Sequence, residues 1–228
     1  MNHIRILNCL LTLSFLMTFN FGKAQSRSIL KDPTYQMYVN TLKTGSLLVE
    51  LADRASIRAK LVEHNEQDKL RRFDIELNKE FNEIFNAFNK YYKFGKVYFY
   101  YKSEAHLLRQ KKYSKIQWFN ASQNPISSKD IDTTNYLLGT FGKMERLDSI
   151  SVYDDQGKLI RKEPKTSFFA FVFRDSEHKI IHKTYFLHVR SIFRTRTKVI
   201  RLLNAQLTRN YNTVLSLNNT NNPQPNEN

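Results

Sequence analysis

Apolar residues recur at intervals of three and four through much of the first half of the chain. Leu48, Leu51, Ala55, Ala59 and Val62 step by three, four, four and three, the spacing of one helical face. In a longer stripe, Leu70, Phe73, Leu77, Phe81, Ile84, Phe88 and Tyr91 keep the same rhythm, with Arg71, Arg72, Glu76, Lys79, Glu80 and Glu83 between them. The polar run His64-Asn65-Glu66-Gln67-Asp68 separates the stripes as a turn signal, so residues 45–92 are predicted to form two helices packed antiparallel. Residues 25–40, polar with Tyr35 and Tyr38 scattered among them, are predicted as an extended lead-in.

The pattern changes after Phe94-Gly95, where the glycine ends the helix. Val97-Tyr98-Phe99-Tyr100-Tyr101 is aromatic and β-branched without alternation, which suits a strand covered on both faces. Residues 103–113 are predicted helical from a Ser103 cap, 115–119 as a strand and 120–135 as a polar loop. From Tyr136 the reading is mostly antiparallel sheet, with strands near 136–146, 149–153, 158–162, 167–174 and 179–190. Asp154-Asp155-Gln156-Gly157 and Arg174-Asp175-Ser176-Glu177 are the turn signals between neighbours. Ile200, Leu203, Leu207, Tyr211 and Val214 predict a closing helix over about 197–216, and the Asn-rich tail 218–228 has no large apolar residue beyond it and is predicted disordered. The expected fold is a single α+β domain over 25–217: an N-terminal antiparallel helical hairpin packed on a mainly antiparallel sheet spanning about 96–190, with a C-terminal helix.

Residues 1–24 read as an export signal. His3 and Arg5 precede an apolar run over residues 6–21, and Gly22-Lys23-Ala24 supplies small residues before a cut near Ala24/Gln25. The run is interrupted by polar residues and is short against the ~20 residues a membrane span needs. No later stretch approaches that length, so the mature chain is expected to carry no transmembrane segment and to sit in the periplasm or outside the cell. The one cysteine, Cys9, lies inside the signal, which leaves the mature chain without disulfides, thiol nucleophiles or Cys-type zinc sites. Asn8 before it is the wrong residue for a lipid anchor.

Composition narrows the class. With 41% hydrophobic residues there is enough apolar material for a core, and 6 Gly and 5 Pro in 228 residues exclude collagen-like, low-complexity and Gly-rich phosphate-binding chains. Lys+Arg 36 against Asp+Glu 21 gives a net charge of +15, of which removal of Arg5 and Lys23 with the signal leaves +13. Two basic runs stand out as candidate anion-binding residues: Arg109, Lys111, Lys112 and Lys115, then Arg190, Arg194, Arg196, Lys198 and Arg201. Outside the cytoplasm such runs point to anionic polymer, lipid headgroups or an envelope protein as partner. If they act, affinity for anionic polymer falls steeply with salt, and charge reversal at Arg194, Arg196 and Lys198 flattens that slope. The plainer alternative is a basic solvated surface.

Catalytic signatures are scarce. His178, His182 and His188 share strand parity, but His182 and His188 stand about 20 Å apart on a strand and no single metal bridges them. Asp130-Ile131-Asp132 opens like a calcium loop, yet Asn135 and Phe141 occupy the positions that need glycine and glutamate. Gly139-Thr140-Phe141-Gly142 lacks the first glycine and the following helix of a dinucleotide fingerprint, and no serine sits in a nucleophile-elbow setting. No metal or other cofactor is expected and no catalytic residue is assigned. Tyr91, Tyr92, Phe94, Tyr98, Phe99, Tyr100 and Tyr101 form either a stacking platform or, on the favoured reading, the seam between the long helix and the first strand.

The signal ending Lys23-Ala24-Gln25-Ser26, with the segment from Gly45-Ser46-Leu47-Leu48-Val49 through Val97-Tyr98-Phe99-Tyr100-Tyr101, resembles uncharacterised secreted proteins of Bacteroidota-type bacteria. The resemblance implies location and carries no known activity. The leading expectation is an exported, basic, non-enzymatic envelope protein that binds a macromolecular or anionic partner, and the alternative is a hydrolase acting on envelope or extracellular polymer. A cleft with convergent carboxylates or histidines of shifted pKa favours the enzyme, and a shallow basic or aromatic face favours binding.

Overall fold

The computed structural model describes residues 30–145, 149–153, 159–164, 167–181 and 195–221. Helix α1 (Pro33–Thr44) begins where the Asp32 carboxylate accepts from the Thr34 N–H at 2.8 Å and Pro33 presets the first turn. It buries Tyr35, Val39 and Leu42, which fall on one face at spacings of four and three. The expected extended lead-in is therefore helical from residue 33.

Strand β1 (Ser46–Leu51) corrects the first predicted helix. Its run of Leu47, Leu48, Val49 and Leu51 is buried, with Leu47, Val49 and Leu51 facing one core and Leu48 the other. A short apolar run covered on both faces carries no period of its own, so its leucines completed a helical spacing by chance. The hairpin starts later, with α2 (Ala55–Glu63) and α3 (Gln67–Tyr91). The ion pairs Arg54–Glu80 (2.6 Å) and Arg58–Asp74 (3.0 Å) run in opposite order along the two helices, as antiparallel packing requires. α2 buries nothing: Ala55 and Ala59 are exposed, and Val62 is 51% exposed. The second stripe is the true core face, with Leu77, Ile84 and Phe88 buried and Phe81 and Tyr91 packed against them.

Next come β2 (Lys96–Tyr101), the short helix α4 (Ala105–Arg109) between single 3-10 turns at Lys102–Glu104 and Tyr113–Lys115, β3 (Trp118–Phe119) and β4 (Pro125–Ile126). These replace the single predicted helix over 103–113 and place a two-residue strand inside the predicted loop. β5 (Tyr136–Glu145), β6 (Ser149–Tyr153), β7 (Leu159–Pro164) and β8 (Ser167–Arg174) fall where alternation and turn signals predict them. The closing helix α5 (Arg196–Asn221) runs four residues into the segment expected to be disordered. The predicted export signal, residues 182–190 of the last predicted strand, the turn Asp154-Asp155-Gln156-Gly157 and the tail from residue 222 lie outside the described residues.

Six strands form one mixed sheet in the order β4-β3-β2-β1-β5-β8. β1 is central and parallel to both β2 and β5, while the pairs β2–β3, β3–β4 and β5–β8 are antiparallel. β6 and β7 form a separate antiparallel ribbon. Helices α1, α3 and α5 cover one face, burying Leu47, Val49, Phe99, Leu137, Phe171 and Phe173. The other face is covered by α4 and the segment after it, where Ala105, Leu108, Ile116, Trp118 and Ile131 pack on Leu48, Tyr100 and Leu138. Tyr91, Tyr92, Phe94, Phe99 and Tyr101 of the aromatic cluster lie on the seam side, with Phe99 4.5 Å from Phe85 and 5.3 Å from Phe88, ring centre to ring centre, whereas Tyr98 and Tyr100 face the other side of the sheet. Among the described residues no helix is long and apolar enough to cross a membrane.

Gly95 marks where α1 and the entry to β2 touch. A Cβ there would stand 2.0 Å from the carbonyl oxygen of Leu42, and backbone on both sides leaves no side chain to yield. Gly95→Ala is expected to lower stability by about 1–3 kcal/mol, measured by urea unfolding. An unchanged midpoint would show that the two segments can separate without loss.

Candidate anion-binding pocket

β1 carries a single acid, Glu50, in an otherwise apolar buried strand. The register sets it beside Tyr100 of β2 and Thr140 of β5, in the last parallel pair that β1 and β5 make. The chain leaves β1 through α2 and α3 to reach β2 on one side, then returns through α4, β3 and β4 to β5 on the other. Strand order reverses there, and open sheets leave a crevice at the carboxyl ends of such strands.

That crevice is a pocket of ≈ 250 Å³ lined by Glu50, Tyr100, Lys102, Ala105, Arg109, Leu138, Gly139, Thr140, Arg174 and His178. Each polar side chain has a structural reason to be there. Arg174 ends β8 opposite Leu138 on β5. The Asp175 carboxylate accepts from the N–H groups of Glu177 (3.0 Å) and Lys179 (2.9 Å), forming a tight turn in which His178 takes a φ of 65°. Arg174 donates to the His178 carbonyl at 3.0 Å, which ties the guanidinium to that turn. Arg109 ends α4 with its Nε 3.4 Å from the Ala105 carbonyl, and Lys102 opens the 3-10 turn after β2.

Three cations therefore surround one carboxylate. Among the described residues no carboxylate lies within ion-pair distance of Lys102, Arg109 or Arg174. Burial pushes the Glu50 carboxyl above its ordinary range, opposed by Lys102, Arg174, Arg109 and a hydrogen bond from Thr140. Burial, helped by Arg109 and Arg174, pulls His178 below its usual value, with Asp175 acting against them. Burial and the neighbouring Glu50 raise the Tyr100 phenol. The Glu50 and His178 shifts both favour the uncharged form, and protonation of either group makes the pocket more positive.

A larger cavity of ≈ 350 Å³, lined by Asp53, Arg58, Asp74, Phe81 and Tyr101 among others, lacks such an imbalance. Arg58 is paired with Asp74, and Asp53 accepts from the Ser103 hydroxyl.

Of the candidate anion-binding residues in the two basic runs, the pocket takes Arg109. Lys111, Lys112 and Lys115 are exposed in the turns after α4 and do not line it. Arg196 is committed elsewhere: its guanidinium pairs with Glu80 (2.6 Å) and Glu83 (2.9 Å). Lys198 and Arg201 are exposed on α5, across the sheet from Arg109, and Arg190 and Arg194 lie outside the described residues. The two basic runs thus sit on elements covering opposite faces, and the described residues do not join them into one patch.

Glu50, Lys102 and Arg174 were not picked out by charge clustering. The one available signal was Glu50 itself, an acid inside Ser46–Leu51 where every neighbour is apolar or small. The Gly139-Thr140 pair is in β5: Thr140 faces the pocket, and a Cβ on Gly139 would stand 2.3 Å from the Phe171 ring on the other face. Asp132 is a turn-former that accepts from Thr134 and Asn135. His178 lines the pocket, while His182 and His188 lie outside the described residues. Among the described residues no three metal-ligating side chains gather. No protein-family model, curated protein or solved structure matches this chain.

Proposed function

We propose that this is an exported binding protein whose pocket beside Glu50 holds a small anionic group. One observation carries the reading: Lys102, Arg109 and Arg174 converge on the carboxyl end of the central strands with one carboxylate among them. Arginine guanidiniums present planar, paired donors suited to an oxyanion, and desolvation in a crevice strengthens each bond. At ≈ 250 Å³ the pocket falls below the ~300–1,000 Å³ usual for drug-sized ligands, which suits a single anionic group. The export signal read in residues 1–24 supports a site of action outside the cytoplasm.

Trp118, the one tryptophan, packs on Tyr100 with ring centres 5.6 Å apart and reports on the pocket. Titration of the protein with inorganic phosphate, sulfate and acetate, followed by Trp118 fluorescence and calorimetry, is expected to show saturable binding of at least one anion. Arg174→Gln is expected to weaken that binding about tenfold or more, whereas Lys198→Gln, on the opposite side of the sheet, leaves it within about twofold. No binding of any anion, or equal losses in both variants, would refute the reading.

Hydrolysis is the second reading, and the shared pocket of Glu50 and His178 favours it, because a glutamate held toward its protonated form and a neutral histidine supply an acid and a base. Paired-carboxylate glycoside chemistry gains nothing here, since Glu50 is the one carboxylate among the described lining residues. Release of nitrophenol from nitrophenyl phosphate, abolished by Glu50→Gln, would move the reading to an enzyme.

A further inference from the structure

A pocket built only to attract anions has no use for a carboxylate. Glu50 nevertheless lies on the central strand with its side chain on the pocket side, beside Thr140 and Tyr100 and within the electrostatic reach of Lys102, Arg109 and Arg174. Its neighbours on the strand are buried apolar residues, so neither solubility nor packing calls for an acid there. Thr140, its register partner on β5, hydrogen-bonds the carboxylate, and both side chains line the pocket that a bound anion would enter.

Resting on the anion-pocket reading, we infer that Glu50 selects oxyanions that carry their own O–H, hydrogen phosphate being the simplest, and rejects those that carry none. The chemistry is that of donor and acceptor. The three cations satisfy the unprotonated oxygens of the anion, and an ionised carboxylate can only accept a hydrogen bond. Hydrogen phosphate has a hydroxyl hydrogen to give it. Sulfate has the same tetrahedral shape and the same double charge near neutral pH but no hydrogen, so an oxygen of like charge is forced against the half-buried Glu50 carboxylate. Phosphodiesters, including nucleic-acid backbone and ordinary phospholipid headgroups, lack the hydrogen too, and the pocket disfavours them for the same reason. The preferred ligand is thus free phosphate or another hydroxyl-bearing small anion rather than a polymer.

The test compares inorganic phosphate with sulfate at pH 7.5 on the full chain, by calorimetry and Trp118 fluorescence. Phosphate is expected to bind at least about tenfold more tightly, the scale of one hydrogen bond to a charged group gained against the same group left unpaired. Glu50→Gln, whose amide can donate to either anion, is expected to bring the two affinities within about threefold. A pH series on sulfate adds a readout that a merely structural Glu50 would not move. The groups facing Glu50 are Tyr100, Lys102, Arg109, Arg174 and His178, and of these His178 alone titrates with it in the acid range. Sulfate affinity should climb once pH falls far enough for Glu50 to acquire a proton to donate, and the Gln variant should show only the rise that His178 supplies. Dimethyl phosphate and phosphatidylglycerol vesicles, both diesters, are expected to bind no better than sulfate. Equal binding of phosphate and sulfate by the wild type, or a preference that survives in Glu50→Gln, would overturn the inference and leave the anion pocket standing. Binding of neither would overturn both.

Discussion

Arg196→Glu is expected to lower the unfolding free energy by about 2–4 kcal/mol, whereas Lys198→Glu, two residues on, should change it by less than about 0.5 kcal/mol. Both substitutions reverse one charge in the same basic run at the start of α5, so their difference isolates what each side chain touches. Arg196 is 23% exposed and bonds Glu80 at 2.6 Å and Glu83 at 2.9 Å, its backbone N–H donates to Glu83 at 3.2 Å, and its guanidinium lies 5.8 Å from the centre of the Phe141 ring. Glu80 also holds Arg54 at the head of the hairpin. One connected network therefore ties the start of α2, the middle of α3 and the first turn of α5. A glutamate at 196 would bring three carboxylates together and remove the guanidinium that holds them; partial exposure keeps the loss below that of a fully buried pair. Lys198 is exposed, and its own N–H, capped by the Thr195 hydroxyl at 3.3 Å, survives any side chain. Urea unfolding of the two variants decides the matter, and equal midpoints would mean that the network contributes nothing. The same comparison bears on charge reversal at Arg194, Arg196 and Lys198 as a probe of anion binding: with Arg196 included, loss of binding would report loss of structure.

The contrast between Arg196 and Glu50 shows what could be read from the chain and what could not. Helix α3 was legible because it buries one face against one layer, so a local period survives in the sequence, and strands β5 to β8 because polar loops and turn signals bound their runs. β1 was not, because a six-residue strand covered on both faces has no period, and its Leu48 and Leu51 fitted a helical spacing that α2 does not use. The exposed α2 explains the rest of that error, since nothing packs on Ala55 or Ala59 and their positions carry no information about a core. For the site, density of charge was a poor guide. Lys111, Lys112 and Lys115 are dense and solvated, whereas Lys102, Arg109 and Arg174 come from three separate segments and meet only because β1 has parallel neighbours on both sides. Convergence of that kind is a property of strand order, which one sequence does not display. The acid in an apolar strand was the exception, a local anomaly that could have flagged the pocket without the fold.

Phe99→Ala is expected to be the most damaging single truncation in the core, at about 3–5 kcal/mol. The fully buried ring packs against Phe85 and Phe88 of α3 at 4.5 and 5.3 Å. Its backbone neighbours are the central strand through Val49 and the short β3 through Phe119. Little can collapse into the vacated space, because α3 and α5 pack together over this face of the sheet, so the transfer cost and the cavity cost both remain. For a domain of this size, ~2–4 °C is lost per kcal/mol, which puts the thermal midpoint some 6–20 °C lower. The neighbouring Tyr100 provides the control, because strand alternation turns it to the opposite face, against Trp118 and the pocket. Tyr100→Phe keeps the ring and removes only a hydroxyl, and it should cost about 1 kcal/mol or less while altering the Trp118 response to anions. Paired thermal melts and phosphate titrations separate the two faces: Phe99→Ala should lose stability yet bind phosphate with nearly wild-type affinity below its melting range, and Tyr100→Phe should keep most of its stability while its Trp118 response to phosphate changes. If instead Phe99→Ala abolished binding in the folded protein, the two sides of the sheet would be mechanically coupled and the pocket could no longer be treated as a feature of one face.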